Sequence, residues 1–438
     1  MIIKGADKKG LCGMIKVPGD KSISHRGVIL GALAFGNTYI DGFLAGEDCI
    51  STINCLRQLG VDIERDGESV RIWSTGADGF KASHKPLNVG NSGTTIRILS
   101  GVLSAQPFTT VIDGDQSIRN RPMKRVIEPL MQMGAQIFSE QGGKAPLIFT
   151  PPENGQLEGG RFDLKVASAQ VKSALLLAGL YTKKPVTVHE PTLSRDHTER
   201  MLKAFGVNVE KNEDGSITMP LKQRLKSCKI SVPGDISSAA FIMVAAAVCP
   251  GSKVTIKNVG LNPTRTGIID VMREMGSDIT IKIKDNTIEP VGDITVKYSP
   301  LKATSIIKGD IIPRLIDEIP AIAVLAAKAE GTTVIKDAGE LRVKESDRIS
   351  LMVKALREFG VKVEERTDGM AITGRSDMLD TPKKLYTAGD HRMAMAYAIA
   401  GLCANGVTCF DDEGCIAVSF PAFADVLCEL GADMKEGV

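Results

Sequence analysis

Six times along the chain, apolar residues at helical spacing run into a glycine that is followed by three or four β-prone residues. The stretches cover 55–63, 130–137, 201–209, 271–279, 355–363 and 427–434, with glycines at 60, 134, 206, 276, 360 and 431. Intervals of 74, 72, 70, 84 and 71 residues mark one supersecondary unit used six times. Ahead of each glycine-ended helix the pattern is a short strand, a polar loop, an alanine-rich apolar helix, a Gly or Asn turn and a β-branched strand. In the first unit these are strand 15–17, loop 18–24, helix 25–35, turn Gly36-Asn37 and strand 38–41. The same order recurs over 87–113, 164–190, 230–259, 311–337 and 385–411. The interior helices at 173–180, 239–248, 322–327 and 393–402 are apolar on most faces and are expected to be buried between sheets.

This β-α-β-α-β grammar predicts an α/β fold, and units of about 70 residues favour compact grouping over a solenoid. Val-Pro-Gly-Asp occurs at 17–20 and again at 232–235, each time after a strand and at the same phase of the repeat. Three glycine-ended helices lie between the two copies and three follow the second. The expected organisation is a discontinuous domain of 1–19 plus 233–438, a second domain of 20–232, and hinge crossings near 17–20 and 232–235.

Composition narrows the function more than the fold. The chain has 438 residues, 43% hydrophobic but only 4% aromatic, so its cores must be close-packed Ala, Val, Leu, Ile and Met. A balance of 54 basic and 52 acidic side chains gives no field to attract nucleic acid or a membrane, and any anion site must be built locally. Nine cysteines without a C-x-x-C pair indicate neither a disulfide framework nor a zinc cluster. No signal segment opens the chain and no apolar run reaches about 20 residues, so a cytoplasmic location is expected.

The loops leading into the interior helices hold the candidate chemistry. Gly19-Asp20-Lys21-Ser22-Ile23-Ser24-His25-Arg26 offers hydroxyls, free helix-start amides and two cations, which suits a phosphate or, more plainly, a cap with solvated charges. Gly90-Asn91-Ser92-Gly93-Thr94-Thr95-Ile96-Arg97 lets backbone approach a ligand but lacks the ending of a nucleotide P-loop. Ser168-Ala169-Gln170 and Gly389-Asp390-His391-Arg392 stand at equivalent places. Further cations sit at Arg119, Arg121, Lys124 and Arg125, and at Arg195. In Arg342-Val343-Lys344-Glu345-Ser346-Asp347-Arg348, a helix start would put Lys344, Glu345 and Arg348 on one face, as surface pairs or as an anion site with one acid. Asp317, between apolar neighbours, is either a helix cap or a base whose pKa rises unless a cation compensates. His391 reads as a cap or surface pair, and Asp411-Asp412-Glu413 as a turn.

These motifs together closely resemble the 5-enolpyruvylshikimate-3-phosphate synthase family over the whole chain. The match rests on residues 19–26, Asn91-Ser92-Gly93-Thr94 with Arg97, Arg121-Pro122-Met123, 194–199, 341–348 and 389–394. The resemblance implies a two-domain inside-out α/β barrel, each domain holding three βαβαββ repeats with buried parallel helices. It implies transfer of the enolpyruvyl group of phosphoenolpyruvate to the 5-hydroxyl of shikimate 3-phosphate, with no cofactor and no metal, by a monomer. Shikimate 3-phosphate would then meet Lys21, Ser22, Arg26, Ser168, Ala169, Gln170, Arg195, Asp317 and Lys344. Phosphoenolpyruvate would meet Lys21, Gly93, Arg121, Gln170, Arg348 and Arg392. Asp317 becomes the expected base and Glu345 the proton donor, with Lys21 as a third catalytic group.

Ala169 stands where the best-known bacterial and plant enzymes have a second serine, and Val418 where they have a lysine. The rival is the sister family that uses UDP-N-acetylglucosamine. It usually has a cysteine on the loop matching 113–121, whereas this chain has none between Cys55 and Cys228.

Overall fold

The structure is a computed structural model describing residues 1–5 and 10–435. Residues 6–9 and 436–438, which fall in the expected discontinuous domain, lie outside the described residues. The chain forms two compact units, one of Met1–Pro18 with Pro233–Val438 and one of Gly19–Val232.

All six repeats build a buried helix. In the discontinuous unit these are Ile236–Val248, Ile319–Ala327 and His391–Leu402, and every residue of all three is buried. In the other unit they are Lys21–Leu33, Gly93–Leu103 and Ala169–Ala178. Small residues permit the close packing that the scarcity of aromatics demanded. A Cβ at Gly101 would lie 2.0 Å from the Ala174 carbonyl oxygen, so the second and third helices of that unit meet at backbone distance.

The helices before the six repeat glycines are Glu47–Gln58, Lys124–Gln132, His197–Ala204, Gly267–Glu274, Arg348–Glu358 and Phe423–Glu429. Each glycine has positive φ, from +73° at Gly360 to +104° at Gly431. Each terminus closes with the same two bonds: Gly60 N–H donates to Arg57 O and Val61 N–H to Leu56 O, and the other five repeat the pattern. This is a Schellman terminus, which satisfies the last carbonyls and turns the chain into the next strand.

Among the described residues, five sheets have four strands and one has three. In each of the five, one edge strand is parallel to its neighbour and the remaining pairs are antiparallel. The opening strands of the first and fourth repeats are exchanged. Cys12–Lys16 runs parallel to Lys253–Gly260, with Ile15 opposite Ile256, in the discontinuous unit. Lys229–Ser231 runs parallel to Phe35–Asp41, with Ile230 opposite Ile40, in the Gly19–Val232 unit. The three-stranded sheet places Ile2–Lys4 between Val407–Cys409 and Met434–Lys435.

Two local expectations fail. The fifth repeat opens with the strand Ile306–Ile307, not at 311, which lies in a 3-10 turn at Gly309–Ile311. Gly36-Asn37 is not a turn: these residues pair with Ser74 and Trp73 inside a strand that begins at Phe35. Gly36 is needed because a Cβ there would lie 2.7 Å from Ser227 Oγ. Among the described residues no helix is long and apolar enough to cross a membrane.

Candidate active site

Caps on the interior helices decide which loop residues remain available for chemistry. In the Gly19–Val232 unit the caps are Asp20, Ser92 and Ser168, whose side chains accept the N–H groups of Ile23, Thr95 and Val171. Capping uses one free amide at each start and leaves the positive end of the helix in place.

Lys21, the first residue of its helix, forms an ion pair with Asp48. Arg26 is 4% exposed; its Nε donates to Thr198 Oγ1 at 2.7 Å and its Nη2 to Ser173 Oγ at 2.9 Å, while Nη1 takes the Ser22 carbonyl at 3.0 Å. Gly93 opens the second helix where two guanidiniums converge: a Cβ would lie 2.8 Å from Arg97 Nη1 and 2.9 Å from Arg121 Nη1. Gln170 ties the third helix to the second, accepting from Arg97 at 2.9 Å and donating to Thr94 Oγ1 at 3.0 Å. Arg121 donates to Asn91 Oδ1 at 2.7 Å. Ala169 is the first residue of the third helix, beside its cap Ser168. Arg195 is half-buried, next to Ser194, which Glu190 holds at 2.9 Å. Arg119 instead pairs with Asp113.

In the discontinuous unit the caps Asp235 and Asp390 accept from Ser237 N–H and Arg392 N–H. His391 is therefore neither cap nor surface residue: Asp390 caps, and His391 is buried. Nor is Asp317 a cap, since the residue preceding Ile319–Ala327 is Glu318. Asp317 is 9% exposed and has the compensating cations, with Lys344 Nζ and Arg348 Nη1 each 3.4 Å from Oδ1. Arg348, 1% exposed, also donates to Glu345 Oε2 at 2.6 Å and to Asp390 at 2.8 and 3.2 Å. Arg392 Nη1 donates to the Asp317 carbonyl at 3.0 Å.

Burial disfavours charge on Arg348, but Asp390 and Glu345 outweigh it and raise its pKa above that of an ordinary arginine. Burial likewise opposes the Asp390 carboxylate, and Arg348 outweighs it and holds the carboxyl below its usual range. The pair is charged at neutral pH.

Lys344 and Glu345 do not share a helix face with Arg348 as the spacing allowed. The helix starts at Arg348, capped by Asp347, while Gly339–Val343 form a 3-10 turn and residues 344–346 bend between the two. Loop geometry brings Lys344 to Asp317, and only Glu345 and Arg348 pair at i,i+3. The partners missed in the sequence are Asp48, Asp390 and Glu190, together with Arg97, which stood in a quoted motif without a role. Asp390 had a signal, its cap position before an apolar helix, but Asp48 and Glu190 act on residues 27 and 22 positions away. Val418 closes a short 3-10 turn at Gly414–Val418, and Glu413 pairs with the amino group of Met1. Among the described residues no group of three or more His, Cys, Asp or Glu side chains is arranged to hold a metal.

Two three-repeat units with cations at buried helix starts, together with the likeness to solved structures, place the chain among transferases of the two-domain inside-out α/β fold. EPSP synthase from Acinetobacter baumannii superposes with a TM-score of 0.87 at 42% identity, covering 98% of both chains. The family profile described as EPSP synthase (3-phosphoshikimate 1-carboxyvinyltransferase) matches residues 6–427. The chain is also 53% identical to the 3-phosphoshikimate 1-carboxyvinyltransferase of Geobacillus thermodenitrificans, over 94% of this chain and 95% of that one. Identity to the enzyme of the same name from Desulforamulus reducens is 52%, over 96% and 97%. The chain belongs to the EPSP synthase family. These matches favour it over the sister enzymes that use the UDP-sugar.

Proposed function

We propose that the protein transfers the enolpyruvyl group of phosphoenolpyruvate to the 5-hydroxyl of shikimate 3-phosphate, releasing phosphate, on the path to chorismate and the aromatic amino acids. The observation that carries the reading is the network around Arg348, which holds a base candidate, an acid candidate and a second arginine together. Lys21, Ser22, Arg26, Ser168, Ala169, Gln170 and Arg195 bind shikimate 3-phosphate, with Asp317 and Lys344 at its ring hydroxyls. Lys21, Gly93, Arg121, Gln170, Arg348 and Arg392 bind phosphoenolpyruvate.

In the addition step Asp317 takes the proton of the 5-hydroxyl as its oxygen bonds to C2 of phosphoenolpyruvate, and Glu345 protonates the methylene carbon. In the elimination step a methyl proton returns to Glu345, the bond between C2 and the phosphate oxygen breaks, and the departing phosphate takes the proton held by Asp317, so both carboxyl groups regain their starting states. An incoming anion competes for Arg348 and loosens its hold on Glu345, which favours the protonated, donating form. Acceleration comes from holding two polyanions together and from fixed cations facing developing charge. The enzyme works as a monomer in the cytoplasm.

The test is phosphate release from phosphoenolpyruvate, without added metal, in the presence of shikimate 3-phosphate or of UDP-N-acetylglucosamine. Release with the shikimate ester alone supports the reading. Release only with the UDP-sugar, or with neither, rejects it.

A further inference from the structure

We propose that Lys172 is a positioning residue that, through Glu190, fixes two of the segments assigned above to shikimate 3-phosphate, those of Ser168 and Arg195, and that these hold its phosphate. The inference rests on that assignment. Lys172 lies in the first turn of Ala169–Ala178 and is 1% exposed, so it cannot reach a ligand directly. Its Nζ is 2.8 Å from Glu190 Oε2 and 2.8 Å from Glu199 Oε1. Lysine is almost never fully buried unless paired, and an apolar side chain usually serves stability as well as a buried ion pair does. A buried cation with two carboxylates therefore calls for a reason other than packing.

The remaining bonds of Glu190 supply one. Its Oε1 accepts the Ser168 N–H at 3.0 Å, and its Oε2 accepts the Ser194 hydroxyl at 2.9 Å and the Ser194 N–H at 3.4 Å. One carboxylate thus joins the cap of the third interior helix to the residue before Arg195. Glu199 lies in the first turn of His197–Ala204, so the second ion pair of Lys172 ties down the chain on the other side of Arg195. The adjacent Thr198 accepts from Arg26 Nε at 2.7 Å and shares a hydrogen bond with Ser173 at 2.6 Å, which carries the same seam to a third phosphate-site candidate. Without the ammonium, Glu190 and Glu199 face each other across the space it filled. In either charge state of residue 199, Glu190 has lost the cation that anchors it, and Ser168 and Ser194 lose their fixed places with it. Binding of the phosphorylated acceptor weakens, while the groups that move protons, Asp317 and Glu345, belong to the other unit.

Two variants test this. Lys172→Met removes the cation, and Lys172→Met/Glu199→Gln removes it while restoring the wild-type net charge of the cluster, which protects folding. Calorimetric affinity for shikimate 3-phosphate and for unphosphorylated shikimate, steady-state constants and melting temperature are measured for each. We expect the Kd and KM for shikimate 3-phosphate to rise at least 10-fold in both variants. The preference for the phosphorylated over the unphosphorylated acid should shrink in parallel, with kcat and the KM for phosphoenolpyruvate within about 3-fold of wild type. A lowered melting temperature with wild-type affinity for shikimate 3-phosphate in the folded double variant makes Lys172 purely structural and overturns the proposal. A wild-type protein that fails to bind shikimate 3-phosphate overturns instead the function on which it rests.

Discussion

Because Arg348 touches Asp317, Glu345 and Asp390 at once, substitutions around it separate chemistry from stability. Asp317→Ala and Glu345→Ala each leave Arg348 with two carboxylates, so both variants should fold with near-wild-type circular dichroism. Each should lose about 100-fold or more in turnover, the scale of a lost general acid or base. Wild-type turnover in both would remove these residues from the mechanism. A different residue governs the response to acid. His25 is fully buried, and its Nδ1 lies 2.7 Å from Thr52 Oγ1, the first of a chain of hydroxyls running through Thr95 to Ser92. Burial, opposed by Asp48 and reinforced by Lys21 and Arg26, lowers its pKa from 6.5 to about 3. Between those values the unfolded chain binds a proton that the folded chain does not, so His25 weakens the fold progressively as pH falls below 6.5. The penalty is about 1.4 kcal/mol per pH unit and is absent above that window. Denaturant unfolding at pH 6.5 and pH 5 should show a stability loss about 2 kcal/mol smaller in His25→Asn than in wild type.

Among the elements, the six Schellman termini predict graded costs for one substitution. At Gly134, with φ +92°, a Cβ meets nothing within 4 Å, so Gly134→Ala should cost only the left-handed strain, about 1 kcal/mol. At Gly360, with φ +73°, it would meet Asp380 Oδ2 at 2.1 Å, so Gly360→Ala should cost measurably more. Equal melting temperatures for the two would show that backbone strain alone sets the penalty. At Gly93 the crowding atoms are the guanidinium ends of Arg97 and Arg121, not backbone. Gly93→Ala should therefore fold normally yet raise the KM for phosphoenolpyruvate about 10-fold or more by displacing those guanidiniums. The same elements show what sequence can disclose. Helix-ending glycines were legible because their signal is local, a left-handed residue after an apolar run. Gly36 misled for the same reason: a glycine and an asparagine read as a turn, and only the approach of Ser227, nearly two hundred positions away, explains the glycine in a strand. Loop cations were legible as motifs, but the carboxylates that orient them, Asp48, Glu190 and Asp390, depend on which loops the fold brings together.

At the scale of the whole molecule, each unit contains every strand of its own three sheets, despite the discontinuous path of the chain. A fragment of residues 19–232 should therefore fold alone with a single cooperative urea transition. Ending it at residue 226 removes Lys229–Ser231, the parallel partner of Phe35–Asp41, and should lower the midpoint or abolish cooperativity. A non-cooperative transition in the longer fragment would mean that the unit depends on the rest of the chain.

The exchange of opening strands also sets an order of events during synthesis. Cys12–Lys16 leaves the ribosome early, yet its neighbour Lys253–Gly260 follows more than two hundred residues later, roughly 10 to 50 s at ordinary translation rates. Throughout that interval the nascent protein carries an unpaired β-strand, and the Gly19–Val232 unit completes its last sheet only near the interval's end, when Lys229–Ser231 emerges. Ile2–Lys4 waits longer still, for Val407–Cys409. The amino-terminal strands thus stay open to wrong pairing longer than those of the Gly19–Val232 unit, and a slowed ribosome would lengthen that exposure.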